Sequence, residues 1–100
     1  MELAEEFIEK LNEKARRKVI YNIDKSRYVI DPNLFKKLDS EIWEFRTKYG
    51  GLHVRLLAFW VKKKESLSLV VCSHGFIKKV SKVSKAELDK AKKLRKEYLQ

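Results

Sequence analysis

Cysteine, proline and methionine occur once each in this chain of 100 residues, and glycine three times. A single thiol, Cys72, excludes an internal disulfide framework and points to an intracellular, cytoplasmic protein. None of the glycines falls in a GxGxxG or P-loop pattern, which removes the common phosphate-cradling loops of nucleotide enzymes. The two histidines, His53 and His74, and the lone cysteine stand at no metal-site spacing, so neither a metal nor another cofactor is expected. No apolar run approaches the ~20 residues of a membrane-spanning helix. The chain opens on acidic residues, unlike the basic-then-apolar pattern of a secretory leader. The expectation is one domain over residues 1–100 with no membrane partner.

Acidic residues are scarce in one half only. Residues 1–50 hold 10 Asp and Glu against 11 Lys and Arg, while residues 51–100 hold 4 against 13, and the formal net charge is +10. A positive field confined to one half suits a polyanionic partner: nucleic acid first, then an anionic membrane or an acidic protein. The alternative is a merely solvated surface.

The chain begins with Leu3, Phe7, Ile8, Leu11 and Ala15 at spacings of three and four, acidic residues before them and basic ones after. This predicts an amphipathic helix that continues through Val19, Ile20 and Ile23. Asp31-Pro32, followed by Leu34, Phe35 and Leu38, predicts a second, short helix. Three strands follow, at 41–46, 52–61 and 66–74, joined by "KYGG" and "KKKE", which are short enough for hairpins. Ser84 and Glu87 read as a capping box opening a C-terminal helix, whose lysines at 90–96 read as a solvated face. The fold class is α+β: two N-terminal helices on a small twisted antiparallel sheet, a three-strand meander, then a C-terminal helix.

Side-chain alternation assigns faces to the sheet. With Tyr49-Gly50 at the first tip, Arg46 pairs with His53 and Glu44 with Arg55, and Trp43, Phe45, Leu52, Val54 and Leu56 share the opposite, helix-covered face. With Lys63-Lys64 at the second tip, Arg55 pairs with Cys72 and His53 with His74. Glu44, Arg46, His53, Arg55 and His74 thus gather on one polar patch. Two guanidinium groups side by side repel unless an anion lies between them, so Arg46 and Arg55 read as an anion-binding pair. Glu44 opposite Arg55 also reads as a cross-strand structural pair. Either histidine reads equally as a structural strand residue. Ser73 and His74, as strand neighbours, are expected on opposite faces and not as a nucleophile and its base.

The segments "LDSEIWEFRTKYGGLHVRLLAFW" and "LVVCSHGFIKKVSKVSKAELDKA" resemble the RelE/HigB toxin superfamily, in particular its phage-derived HigB-like branch. The matching features are Leu38, Trp43, Glu44 and Arg46 on one strand, Gly51 and Arg55 opening the next, and the exit His74, Gly75, Phe76, Lys78, Lys79. A helix holding Glu87 and Ala91 follows. The resemblance spans roughly residues 7 to 99 and implies a RelE-like toxin of a type II toxin–antitoxin pair. Such toxins are metal-independent endoribonucleases that usually cut mRNA on the ribosome, leaving a 2′,3′-cyclic phosphate, and are restrained by a cognate antitoxin. For this chain a helix-turn-helix antitoxin is expected. The family usually begins with a short strand that this chain lacks, so either the chain is truncated or another element takes that strand's place.

On this reading Arg46, Arg55 and Lys79 stabilise the extra charge of the phosphorane. His53, His74 or Glu44 takes the 2′-OH proton, and Lys82 or Lys85 protonates the leaving oxygen. Lys78 adds to the basic wall over residues 75–85. Phe76 either stacks on a splayed base or packs in a core or under the antitoxin. The rival is a degenerate homologue, a basic module that binds nucleic acid or protein without cutting.

Overall fold

The computed structural model describes residues 1–64, 67–79 and 82–100. It is an α+β fold in which a four-stranded antiparallel sheet is sandwiched between helices. The elements are α1 (Glu2–Lys10), α2 (Glu13–Lys25), β1 (Phe35–Lys37), β2 (Trp43–Tyr49), β3 (Leu52–Lys64), β4 (Leu67–Ile77) and α3 (Lys85–Leu99). The strands lie side by side in sequence order. Among the described residues no helix is long and apolar enough to cross a membrane.

The expected long first helix is broken at Leu11-Asn12. Leu11 turns to extended geometry, and Asn12 Oδ1 accepts the Ala15 N–H at 2.8 Å, capping α2. An N-cap of this kind contributes about 1 kcal/mol. The break lets α1 lie over β4 and α2 over β2. Ala4, Ala15 and Val19 are fully buried, and Ala4 and Val19 form a core with Phe45, Val54, Leu56 and Ala58 from the sheet. At Gly75 an added Cβ would lie 2.7 Å from Leu56 Cδ2 and overlap the Phe7 ring, so the α1–β4 approach requires glycine.

The second predicted helix is not formed. Asp31 starts a single turn, with its side chain accepting from the Asn33 N–H, and the chain then extends into β1. The competing interaction is visible: Phe35 stacks on Trp43 and Phe45 with ring centroids 4.8 and 4.4 Å apart. Backbone pairing along β2 completes the strand. A short apolar stretch gains more from closing a sheet edge than from one or two isolated helical turns.

Both hairpin registers differ from the sequence expectation. Gly50 and Gly51, at φ +54° and +82°, form the first tip, so Tyr49 faces Leu52 and Arg46 faces Arg55. The pairs Arg46–His53 and Glu44–Arg55 are therefore corrected by two residues. Positive φ at both central positions suits the hairpin turn that follows the sheet's twist. In the second hairpin Lys64 faces Leu67, and residues 65–66, between them, lie outside the described residues. Here Arg55 faces Phe76, not Cys72, and Leu57, not His53, faces His74. Because the registers near the site moved by an even number, Glu44, Arg46, His53, Arg55 and His74 keep their common face. Cys72 does not share it: a bulge between Leu57 and Ala58 moves it to the α1–α2 core. Burial raises its thiol pKa to about 11.

The polar face is not free of helices either. α3 covers part of it, burying Ile42, Leu57, Phe59, Val71 and Ala91 in a second core. Lys92 donates to Asp39 Oδ2 at 2.9 Å, and Arg95 lies 4.0 Å from Glu41, so part of the lysine-rich helix face is tied to the β1–β2 connection. The salt bridge raises the Lys92 pKa.

Candidate functional site

The α3 side of the sheet carries three cross-strand rows, running from beneath the helix toward the first hairpin. Glu44, Leu57 and His74 form the first, Arg46, Arg55 and Phe76 the second, and Lys48 and His53 the third. Lys78 extends the third row, donating its N–H to the His53 carbonyl at 2.8 Å. Strand pairing alone explains this convergence, since directly opposed residues project to one side.

Glu44 holds the centre. Its Oε1 lies 3.4 Å from Arg46 Nε and its Oε2 3.6 Å from Arg55 Nε, and its carboxylate is buried. The anion expected between the two arginines is therefore internal, and mutual repulsion does not by itself require an external one. The contacts are close enough for charge attraction, yet Glu44 Oε2, Arg46 Nε and Arg55 Nε make no hydrogen bond among the described residues. Unsatisfied buried polar atoms each cost about 1–3 kcal/mol. The trio is thus held together by charge and leaves two guanidinium N–H groups without an acceptor.

The two arginines are not equivalent. Arg55 is 4% exposed, and its Nη1 donates to the Val54 carbonyl. Burial lowers its pKa, Glu44 opposes that, and Arg46 adds to the lowering. The Arg46 side chain is 27% exposed and its Nη1 reaches the Pro32 carbonyl at 3.3 Å. Arg46 is accordingly the guanidinium that solvent, or a ligand, meets first.

The histidines divide in the same way. His53 is exposed beside Lys48. His74 is 2% exposed, sealed under α3. Ser73 fills the β4 bulge, and its Oγ lies 3.2 Å from the Leu57 carbonyl and 3.1 Å from His74 Nδ1. The bulge thus corrects the expectation that strand neighbours Ser73 and His74 diverge. On the other side of the ring, His74 Nε2 lies 3.2 Å from Glu87 Oε1. Satisfying all three contacts with an ionised Glu87 needs protons on both ring nitrogens. Desolvation opposes that charge and lowers the His74 pKa, with Lys90 adding to the lowering and Glu87 acting against it. In the neutral ring Nε2–H donates to Glu87, and Ser73 divides its one proton between Leu57 and Nδ1.

Sequence reasoning gave Glu87 a capping role and a place in the family pattern but no part in the site. Ser84 Oγ does accept the Glu87 N–H, at 3.2 Å, but the Glu87 side chain turns to His74 and not back to the cap. The only available signal was a carboxylate one helical turn after the basic segment. Of the other expected residues, Phe76 is half-buried with its ring 6.0 Å from that of His74. Lys78 is half-buried, and Lys79, Lys82 and Lys85 are exposed. The structure does not bring Lys82 or Lys85 into a contact with the arginine trio. The middle of the expected wall, at residues 80–81, lies outside the described residues.

A small sandwich with paired arginines around a buried carboxylate and a basic strand exit defines a compact basic α+β protein. Over residues 6–96 the chain matches the family model described as Phage derived protein Gp49-like (DUF891). It belongs to that family, which is of the RelE-like toxin type. No curated protein and no solved structure matches the chain.

Proposed function

We propose that this protein is the toxin of a type II toxin–antitoxin pair, of the HigB-like branch. It would cleave mRNA on the ribosome without a metal, leaving a 2′,3′-cyclic phosphate. The observation that carries this reading is the pair of arginines facing each other across β2 and β3 with both Nε–H groups lacking an acceptor. A phosphodiester supplies acceptor oxygens in the spacing a guanidinium fork binds. Arg46 meets the phosphate, while Arg55 and Glu44 fix Arg46 from below, so Arg55 acts as a positioning residue in the structure's present arrangement. His53 is exposed on the adjacent row and takes the 2′-OH proton as the 2′ oxygen attacks phosphorus. The bond to the 5′ oxygen then breaks, and a lysine ammonium, Lys78 or Lys79, returns a proton to that oxygen. Phe76, beside Arg55, is partly buried against the α3-side core, and the part of it left exposed could meet a base. His74 is sealed from solvent and is assigned to holding α3 in place of the proton transfer considered for it from sequence.

Mapping cleavage ends on translated mRNA tests this. Arg46→Ala and His53→Ala should each lower the rate roughly tenfold to a thousandfold. Equal cleavage by a folded Arg46→Ala protein removes the site. A second reading, a non-cutting basic module that binds RNA or an antitoxin, is favoured by the neutralisation of Arg55 by Glu44. It predicts salt-sensitive RNA binding with no cyclic-phosphate ends.

A further inference from the structure

The third row on the α3 side carries more unbalanced charge than the row of arginines beside it. Arg46 and Arg55 share Glu44, so their row is half neutralised from within. In the third row Lys48 and Lys78 flank His53. Lys48 and His53 are exposed and Lys78 is half-buried. Among the described residues neither lysine has a carboxylate within salt-bridge distance. Two cations on one sheet face with no acid between them favour an anion from outside.

Spacing says which anion. Successive rows on one face lie two residues apart along each strand, about 6.7 Å. That is close to the reach of one nucleotide repeat of an extended sugar–phosphate backbone, which a basic groove follows phosphate by phosphate. A phosphate at Arg46 therefore brings one of its neighbours over an adjacent row. The first row is closed, because Leu57 and His74 are almost fully buried beneath α3. The neighbour then lies on the side of the Gly50-Gly51 tip, over Lys48. We propose that Lys48, with Lys78 across His53, binds a second phosphate one nucleotide removed from the phosphate at Arg46. This inference rests on the reading of Arg46 as a phosphate ligand and deepens it. The sugar joining the two phosphates lies over His53. With His53 at its 2′-OH, the phosphate at Lys48 is the one on the 5′ side of that sugar, and the 5′ end of the strand points to the first hairpin. Such a contact sets the register of the RNA backbone without reading a base.

The probes are thymidine dinucleotides, which have no 2′-OH and cannot be cut. TpT carries one phosphate and pTpT two neighbouring ones. A third compound carries the same two phosphates held apart by a hexanediol spacer. NMR titration of the intact protein gives the affinities. pTpT should bind roughly three- to tenfold tighter than TpT. The spacer compound, which gains only from the long-range field, should exceed TpT by less than about twofold. Lys48→Ala should remove most of the pTpT gain and leave TpT unchanged, and Lys48→Arg should keep the gain. A gain that survives Lys48→Ala, an equal gain from the spacer compound, or no saturable binding of pTpT overturns the proposal. Arg46→Ala separates this from the reading beneath it. It should weaken TpT and pTpT alike. An Arg46 effect without a Lys48 effect refutes the second phosphate site alone. A Lys48 effect without an Arg46 effect refutes the phosphate at Arg46 and, with it, the register proposed here.

Discussion

The two faces of this sheet solve different problems with adjacent residues. Leu56 points to the α1–α2 side and Leu57 to the α3 side, and both are almost fully buried. Around Leu56 the neighbours are apolar, and a glycine admits the helix. Around Leu57 the neighbours in the same row are Glu44 and His74, and the helix above is held by polar contacts as well as by Ala91 and Leu88. One side is closed by packing and the other by packing plus charge. The second kind of closure leaves room for chemistry, because its polar groups are only partly satisfied.

Removing the central charge should break this contrast most. Glu44→Gln leaves Arg46 and Arg55 facing each other without a counter-charge. Loss of one partner of a buried ion pair costs about 3–5 kcal/mol. Urea unfolding would measure it, and millimolar inorganic phosphate should restore part of the loss in the variant more than in the wild type. Next come the paired truncations Leu56→Ala and Leu57→Ala, each costing about 2–5 kcal/mol. Hydrogen exchange should separate them: protection falls in α1 and α2 for the first and in α3 for the second. Gly75→Ala overfills the α1–β4 approach and should cost about 1–3 kcal/mol with the Arg46 side unaffected. The smallest effect is the pH dependence of the α3 side. His74 has a pKa below the ordinary 6.5, so the unfolded chain binds more protons than the folded one just below that pH. Its contribution is complete above pH 6.5 and is lost as pH falls toward the folded value. His74→Gln should flatten that part of the stability profile, measured by denaturant midpoints from pH 7.5 down to about pH 5.

Much of the site was legible in the sequence because strand alternation is a parity rule. Register errors of two and four residues left Glu44, Arg46, His53, Arg55 and His74 on their shared face. The division of the two arginines was not legible. Which guanidinium is buried depends on the segment before β1, whose Pro32 carbonyl meets Arg46, and on Phe76 beside Arg55, and that is decided by contacts between distant segments. The bulge at Ser73 and the turn of Glu87 toward His74 were hidden for the same reason: both depend on α3 docking 13 residues downstream of His74.

The amino-acid order alone determined the amphipathic helices, the alternating strands, the presence of a tight reversal within KYGG and the concentration of positive charge in the second half. These follow from local periodicity, turn chemistry and composition. Tertiary structure decided that 35–37 would pair as a strand, that one predicted helix would become two and that Glu44 would neutralise Arg55. Each of those outcomes compares a local preference with a contact made across the fold, and such a comparison is settled only once the distant partner is in place.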